Sequence, residues 1–143
     1  MRIGGVMRTR LITALPTETA AAAIDRMVEA GIGATLVLDG YSLAGIFTER
    51  DVLRLARDGS AFEELVLQDV MTRNPVTIAA DDDILAAAQL MGERNVRHLP
   101  VVEGGNVVGI VSIRDVLGFL VERLWEKHDA AARETAHALL KRR

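Results

Sequence analysis

A chain of 143 residues, 50% hydrophobic and 26% charged, can bury a core of its own but is too short for a large multidomain enzyme. A net charge of -3 with one Trp, one Tyr and three Phe argues against a phosphate-neutralising surface or a base-stacking platform, so nucleic acid is not an expected partner. The absence of cysteine removes disulfides, thiolate metal sites and cysteine nucleophiles. No uncharged apolar run reaches the roughly 20 residues of a membrane helix, so the expectation is a soluble, cytoplasmic protein without a membrane span.

In chain order, Leu11–Ala14 reads as a short extended piece, and an Ala-rich helix follows with Ala20, Ile24, Met27 and Val28 at helical spacing. ATLVLD (Ala34–Asp39) and SLAGIFT (Ser42–Thr48) read as strands joined through Gly40-Tyr41, and a second helix is expected from Thr48. Arg57–Asp69, with Gly59-Ser60 and the periodic FEELVL, reads as a linker with one helical turn. The same order then recurs. Val76–Ala79 is extended, a helix carries Ile84, Ala88 and Met91, and HLPVVE and NVVGIVS form a hairpin through Gly104-Gly105. Another helix is expected from Ser112.

Val6–Leu53 aligns with Val70–Leu117 without a gap, and 15 of the 48 pairs are identical, which marks an internal duplication. The expected fold is α+β: two β-α-β-β-α repeats packed about a pseudo-twofold axis. The first spans 1–57, a linker spans 58–69, the second spans 70–121, and a C-terminal helix spans 122–143. The stretch Val116–Leu140 has no proline and no glycine after Gly118, which predicts one long helix with a stripe of Leu117, Val121, Leu124, Ala131, Thr135 and Leu139. Asp129–Arg133 makes an i, i+4 pair on it, and Lys141-Arg142-Arg143 places cations at its end. Such a helix either clasps a partner, with Trp125 as an anchor, or covers the sheet as a plain terminal helix.

The most informative repeat is GIFTERDVL (Gly45–Leu53) against GIVSIRDVL (Gly109–Leu117). Thr48-x-x-Asp51 and Ser112-x-x-Asp115 have the form of capping boxes, and one reading gives them only that role. A cap, however, requires neither the glycine three residues before the hydroxyl nor the arginine before the acid. The functional reading is a nucleoside phosphate site. A helix start offers amide donors, Arg50 and Arg114 offer a forked charge, and Thr48 and Ser112 add hydroxyls. Asp51 and Asp115 suit the two hydroxyls of a ribose.

These motifs resemble the nucleotide motif of tandem CBS domains (cystathionine beta-synthase domains, a Bateman module): glycine, two hydrophobic residues, Ser or Thr, two variable residues and Asp. The resemblance covers about Val6–Val121. It implies a stand-alone regulatory module that binds AMP, ADP, ATP, NAD(H) or S-adenosylmethionine in a cleft between the repeats. It also implies a homodimer of CBS pairs, and a module without an effector domain of its own would signal to an effector protein. An enzyme is disfavoured because the residues offer binding groups without a nucleophile, a metal site or a paired general acid and base, and no cofactor is required. By similarity, Thr13, Ala14, Thr77 and Ile78 present backbone groups to adenine, and the start of the second strand lines the pocket. There the copies differ: Val96-Arg97-His98-Leu99-Pro100 stands against Ile32-Gly33-Ala34-Thr35-Leu36. Arg97 and His98 are phosphate candidates without counterparts in Gly33 and Ala34, so the second site is expected to take the more highly charged nucleotide. Both side chains can face one phosphate only if the strand has not begun at Arg97. The alternative function is a structural or oligomerisation module with the motifs as caps.

Other constellations are poor. His128 and His137 lack the i, i+4 spacing of a helical metal pair, and Glu134-x-x-His137 is an isolated match. The run Asp81-Asp82-Asp83 stands where a helix begins and is expected to complement its dipole.

Overall fold

The structure, a computed structural model, describes residues 1–126 and 130–141. The side chains of Trp125, Ala131, Arg133 and Leu139, together with His128, Asp129, Arg142 and Arg143, lie outside what is described. The chain divides into two compact units. One holds Arg10–Val76 with the hairpin tip Glu103–Val107, and the other holds Met1–Thr9, Thr77–Val102 and Val108–Arg143.

In the first unit, β1 (Thr13–Ala14), β2 (Ala34–Asp39), β3 (Ser42–Thr48) and β4 (Thr72–Arg73) form a sheet in that order. β1 runs parallel to β2, and the other pairs are antiparallel. The first helix, α1 (Ala20–Ala30), starts because the Thr19 side chain accepts from the Ala22 amide at 3.1 Å, and it ends at Gly31 in the left-handed conformation. Its buried face is Ala20, Ala23 and Met27, and the two alanines let the helix approach the core around Val37 and the fully buried Phe47. Val28, expected on that face, is 76% exposed. One residue past Met27 is a turn of about 100°, which carries Val28 off the buried stripe. The remaining helices are α2 (Glu49–Arg57) and the single turn α3 (Leu67–Val70), which begins at the last residue of FEELVL; residues 62–64 form a turn and not a helix.

In the second unit, β5 (Ile78–Ala79), β6 (His98–Glu103) and β7 (Asn106–Ser112) form a three-stranded sheet. The helix α4 (Ile84–Arg94) buries Ile84, Ala87 and Met91 and ends at Asn95, also left-handed. After it come α5 (Ile113–Trp125) and α6 (Ala130–Lys141). The expected single helix over Val116–Leu140 is therefore two. In one continuous helix Leu117 and Ala136 would stand about 28 Å apart. Instead α5 and α6 lie against each other and Ala136 is buried. Of the described side chains of the expected stripe, Leu117, Leu124 and Thr135 are exposed and Val121 is half-buried.

The two equivalent lead-in segments each join the sheet of the other repeat. Thr72–Arg73 pairs with Gly45–Ile46 of β3, and Arg8 pairs with Ile110 of β7 through reciprocal amide–carbonyl bonds of 2.9 and 3.0 Å. Ile3, in a 3-10 turn of the first of these segments, is fully buried.

Candidate functional site: two capped helix starts

Each candidate site begins where a strand passes into a helix without a loop. Thr48 closes β3 and caps α2 in extended geometry, and Ser112 does the same between β7 and α5. At the second start, the Ser112 amide and hydroxyl both donate to Asp115 Oδ2 at 2.8 Å, and the Asp115 amide donates back to Ser112 Oγ at 3.2 Å. At the first, the Thr48 amide and hydroxyl donate to Asp51 Oδ2 at 2.9 and 3.2 Å. Both capping boxes are formed, and each uses a single carboxylate oxygen.

The other oxygen faces an arginine. Asp51 Oδ1 accepts from Arg54 Nη2 at 3.0 Å, and Asp115 Oδ1 lies 3.6 Å from Arg8 Nε. Asp51 and Asp115 are 4% and 6% exposed, and a buried carboxylate of that kind is tolerated only when its charge is compensated. Sequence reasoning overlooked both arginines. Arg54 was open to discovery, because i, i+3 from Asp51 is a contact distance on a helix. Arg8 left no such signal.

The glycine that a cap does not need has a packing cause. A Cβ on Gly45 would stand 2.6 Å from Met71 Sδ and 2.6 Å from the Thr72 carbonyl. A Cβ on Gly109 would stand 2.6 Å from Met7 Sδ and 3.0 Å from the Arg8 carbonyl. The crossing segments lie directly on these glycines, which also explains why Met7 and Met71 are an identical pair in the duplication.

The strand starts are tied to the helix starts. Ala34 stands opposite Thr48 in the β2–β3 register, and the Glu49 amide donates to the Gly33 carbonyl at 3.0 Å. Likewise the Ile113 amide donates to the Arg97 carbonyl at 2.9 Å. Thus Ala34 meets Thr48, Gly33 meets Glu49 at the start of α2, and Arg97 meets Ile113 at the start of α5. Arg97 precedes β6, which begins at His98, so the two are not constrained to opposite faces of one strand. Arg97 is exposed and His98 half-buried, while Leu99 and Pro100 are buried and Val96 is half-buried. Arg50 and Arg114 are both exposed on the first turns of their helices.

Thr13 and Ala14 lie opposite Leu36 and Val37, and Ile78 opposite Val101, with Thr77 just before it. Here the repeats part. β1 is an edge strand whose Thr13 carbonyl accepts from Arg26 Nη1 of α1 at 2.7 Å. Arg26 also pairs with Glu18, whose second oxygen accepts from the Leu15 amide at 2.6 Å. Leu90 occupies the position of Arg26 in the second repeat and has no donor to offer. Among the described residues there is no group of three or more His, Cys, Asp or Glu arranged to hold a metal, and no helix is long and apolar enough to cross a membrane. Asp83, the last residue of the acidic run, accepts from the Leu85 amide at 2.8 Å as the cap of α4.

The family model for the CBS domain matches twice, over residues 3–58 and 67–122. An uncharacterised protein of Methanopyrus kandleri is 35% identical over 80% of this chain. The chain spans 60% of that relative's length, and 32% and 53% of two further curated relatives. Among solved structures, a protein with CBS domains from Burkholderia ambifaria is 32% identical at a TM-score of 0.77, covering 80% of this chain and 85% of that one. CBSX2, solved in complex with AMP, is 25% identical at a TM-score of 0.76, covering 86% of this chain and 98% of its own. The chain therefore belongs to the CBS-domain family, as two CBS domains in tandem.

Proposed function

We propose that the chain is a non-catalytic regulatory module that binds an adenosyl nucleotide through the buried aspartates of its two helix starts. The candidate ligands are AMP, ADP, ATP, NADH and S-adenosylmethionine. The phosphorylated end is held at the second repeat, by Arg97 and His98 beside Ser112, Arg114 and Asp115. The first repeat takes an adenosine end or nothing. The observation that carries this reading is the division of labour on each carboxylate: Oδ2 closes the cap while Oδ1 is turned away from it. The AMP complex of CBSX2 supports the ligand class. Arg26 supports the asymmetry, because it occupies the Thr13 carbonyl that an adenine edge would use. The module acts as a homodimer in the cytoplasm and signals to an effector protein. The equivalent leucines Leu53 and Leu117, 71% and 53% exposed on α2 and α5, fit such pairing.

A scaffold role has one observation in its favour, the completeness of both capping boxes. Thermal unfolding with each candidate ligand, for wild type, Asp51→Ala and Asp115→Ala, separates the two. A ligand at 100 times its dissociation constant adds about 2.7 kcal/mol, a shift of several degrees. Loss of that shift in Asp115→Ala and its persistence in Asp51→Ala is the expected result. No shift with any nucleotide at millimolar concentration leaves the scaffold role, and equal losses at a phosphorylated ligand overturn the asymmetry.

A further inference from the structure

Each motif aspartate has one arginine at Oδ1, and the two arginines come from different places in the repeat. Arg54 sits three residues after Asp51 on α2, where the second repeat has Gly118 after Asp115. Arg8 sits on the segment that crosses the second repeat's sheet, and the equivalent position on the segment that crosses the first repeat's sheet is Thr72. The duplication has lost the arginine's position and kept its target. Both also tie the carboxylate to the crossing segment: Arg54 Nη2 reaches the Val70 carbonyl at 3.4 Å, and Arg8 belongs to the segment itself.

We propose that Arg8 is a positioning residue of the second nucleotide site, holding Asp115 Oδ1 toward the ribose as Arg54 holds Asp51. This rests on the nucleotide reading of Asp115. Oδ2 is fixed by the cap, so only rotation about the carboxyl bonds sets the direction of Oδ1, and a guanidinium beside it selects one direction. Arg8 Nε is buried and makes no hydrogen bond, while Asp115 Oδ1 lies 3.6 Å away. An unsatisfied buried donor is costly. Seating a ribose diol on Oδ1 and closing the remaining gap to Arg8 satisfy that donor in one movement. The N-terminal segment and the nucleotide then share a single carboxylate, so occupancy of the site is felt by the segment.

The test is calorimetric titration of AMP into the full chain, as wild type, Arg8→Ala, and Arg8→Ala combined with Gly118→Arg. Arg8→Ala is expected to weaken AMP by about tenfold or more, the equivalent of about 1.4 kcal/mol per tenfold. The double variant, which moves the arginine to the position it holds in the first repeat, is expected to recover most of that loss. A segment that served only to cover the sheet would not be rescued from α5. Unchanged affinity in Arg8→Ala, or a loss the double variant fails to recover, overturns the role. If Arg8→Ala does not fold, Arg8→Lys carries the test: it keeps the charge without the fork, several-fold weaker binding is expected, and wild-type affinity overturns the role. No AMP binding by the wild type would instead sink the nucleotide reading and this role with it.

Discussion

At the first helix start the Thr48 amide reaches Asp51 Oδ2 at 2.9 Å, and at the second the Ser112 amide reaches Asp115 Oδ2 at 2.8 Å. Around these matched caps the two regions diverge. The first draws its arginine from its own helix, has no cation at Gly33-Ala34, and ties the Thr13 carbonyl to Arg26. The second draws its arginine from the crossing segment, carries Arg97-His98, and has Leu90 where Arg26 would be. The cap satisfies the orphan amides of a strand that turns directly into a helix, so both copies gain stability by keeping it whatever else the site does. The groups around it answer to a ligand or to neighbours, and there duplicated copies are free to specialise.

The largest expected difference between the copies lies in their cores. Phe47 and Val111 hold equivalent positions and are both fully buried. Phe47→Ala should cost about 3–5 kcal/mol and Val111→Ala about 2 kcal/mol, measured by urea unfolding. Equal costs would mean that the two cores relax differently around the same position. Next come the motif glycines. Both glycines have a flexible methionine sulfur at 2.6 Å, but Gly45→Ala also meets a backbone carbonyl at 2.6 Å that cannot swing away, whereas at Gly109 the carbonyl stands at 3.0 Å. Gly45→Ala is expected to cost about 2–3 kcal/mol and Gly109→Ala about 1–2 kcal/mol. The reverse order would show that the first crossing segment yields more easily than the second.

Much of the frame around this contrast is legible in the sequence. The duplication, the strand–strand–helix order and both caps are written in short-range patterns, because hairpins and helix starts are decided by residues within a few positions of one another. So is Arg54, one turn from Asp51. Arg8 and Asp115 are more than a hundred residues apart, and nothing in the local grammar of Val6–Thr9 points to a carboxylate on α5. The need for Gly45 was equally hidden, since it arises from a segment that follows the linker. Arg26 read as one polar residue on an amphipathic helix, and only the edge position of β1 makes it a donor to Thr13. The division into α5 and α6 was missed because absence of proline and glycine permits a continuous helix without requiring one.

A smaller effect tests the role of Arg26. Arg26→Leu installs the residue that the second repeat already has. Both members of the Arg26–Glu18 pair are about one-third exposed, so stability should change by less than about 1 kcal/mol. With the Thr13 carbonyl released, AMP titration is expected to report two ligands per chain in place of one. An unchanged stoichiometry would show that the missing cations at Gly33-Ala34, and not Arg26, keep the first site from filling.

The smallest contrast is between the caps of the first helices, Thr19 on α1 and Asp83 on α4. Thr19 does not titrate. Asp83 does, and the Leu85 amide bonded to it, with a further contribution from the N-terminal ammonium, holds its carboxyl below the ordinary value of 3.8 against the opposing effect of burial. A carboxyl whose folded value is depressed stabilises the fold above its unfolded value, and that contribution disappears as pH falls through the folded value. The start of α4 should therefore loosen below about pH 4 while the start of α1 does not. Asparagine caps helices as well as aspartate but carries no charge. Asp83→Asn should accordingly unfold slightly more easily than wild type at pH 7 and match it once wild-type Asp83 is protonated. The check is amide exchange at Leu85 and Ala22 across that range, normalised to the intrinsic rate at each pH. Equal acid sensitivity at the two amides would mean that acid acts on the units as a whole and that the caps do not differ.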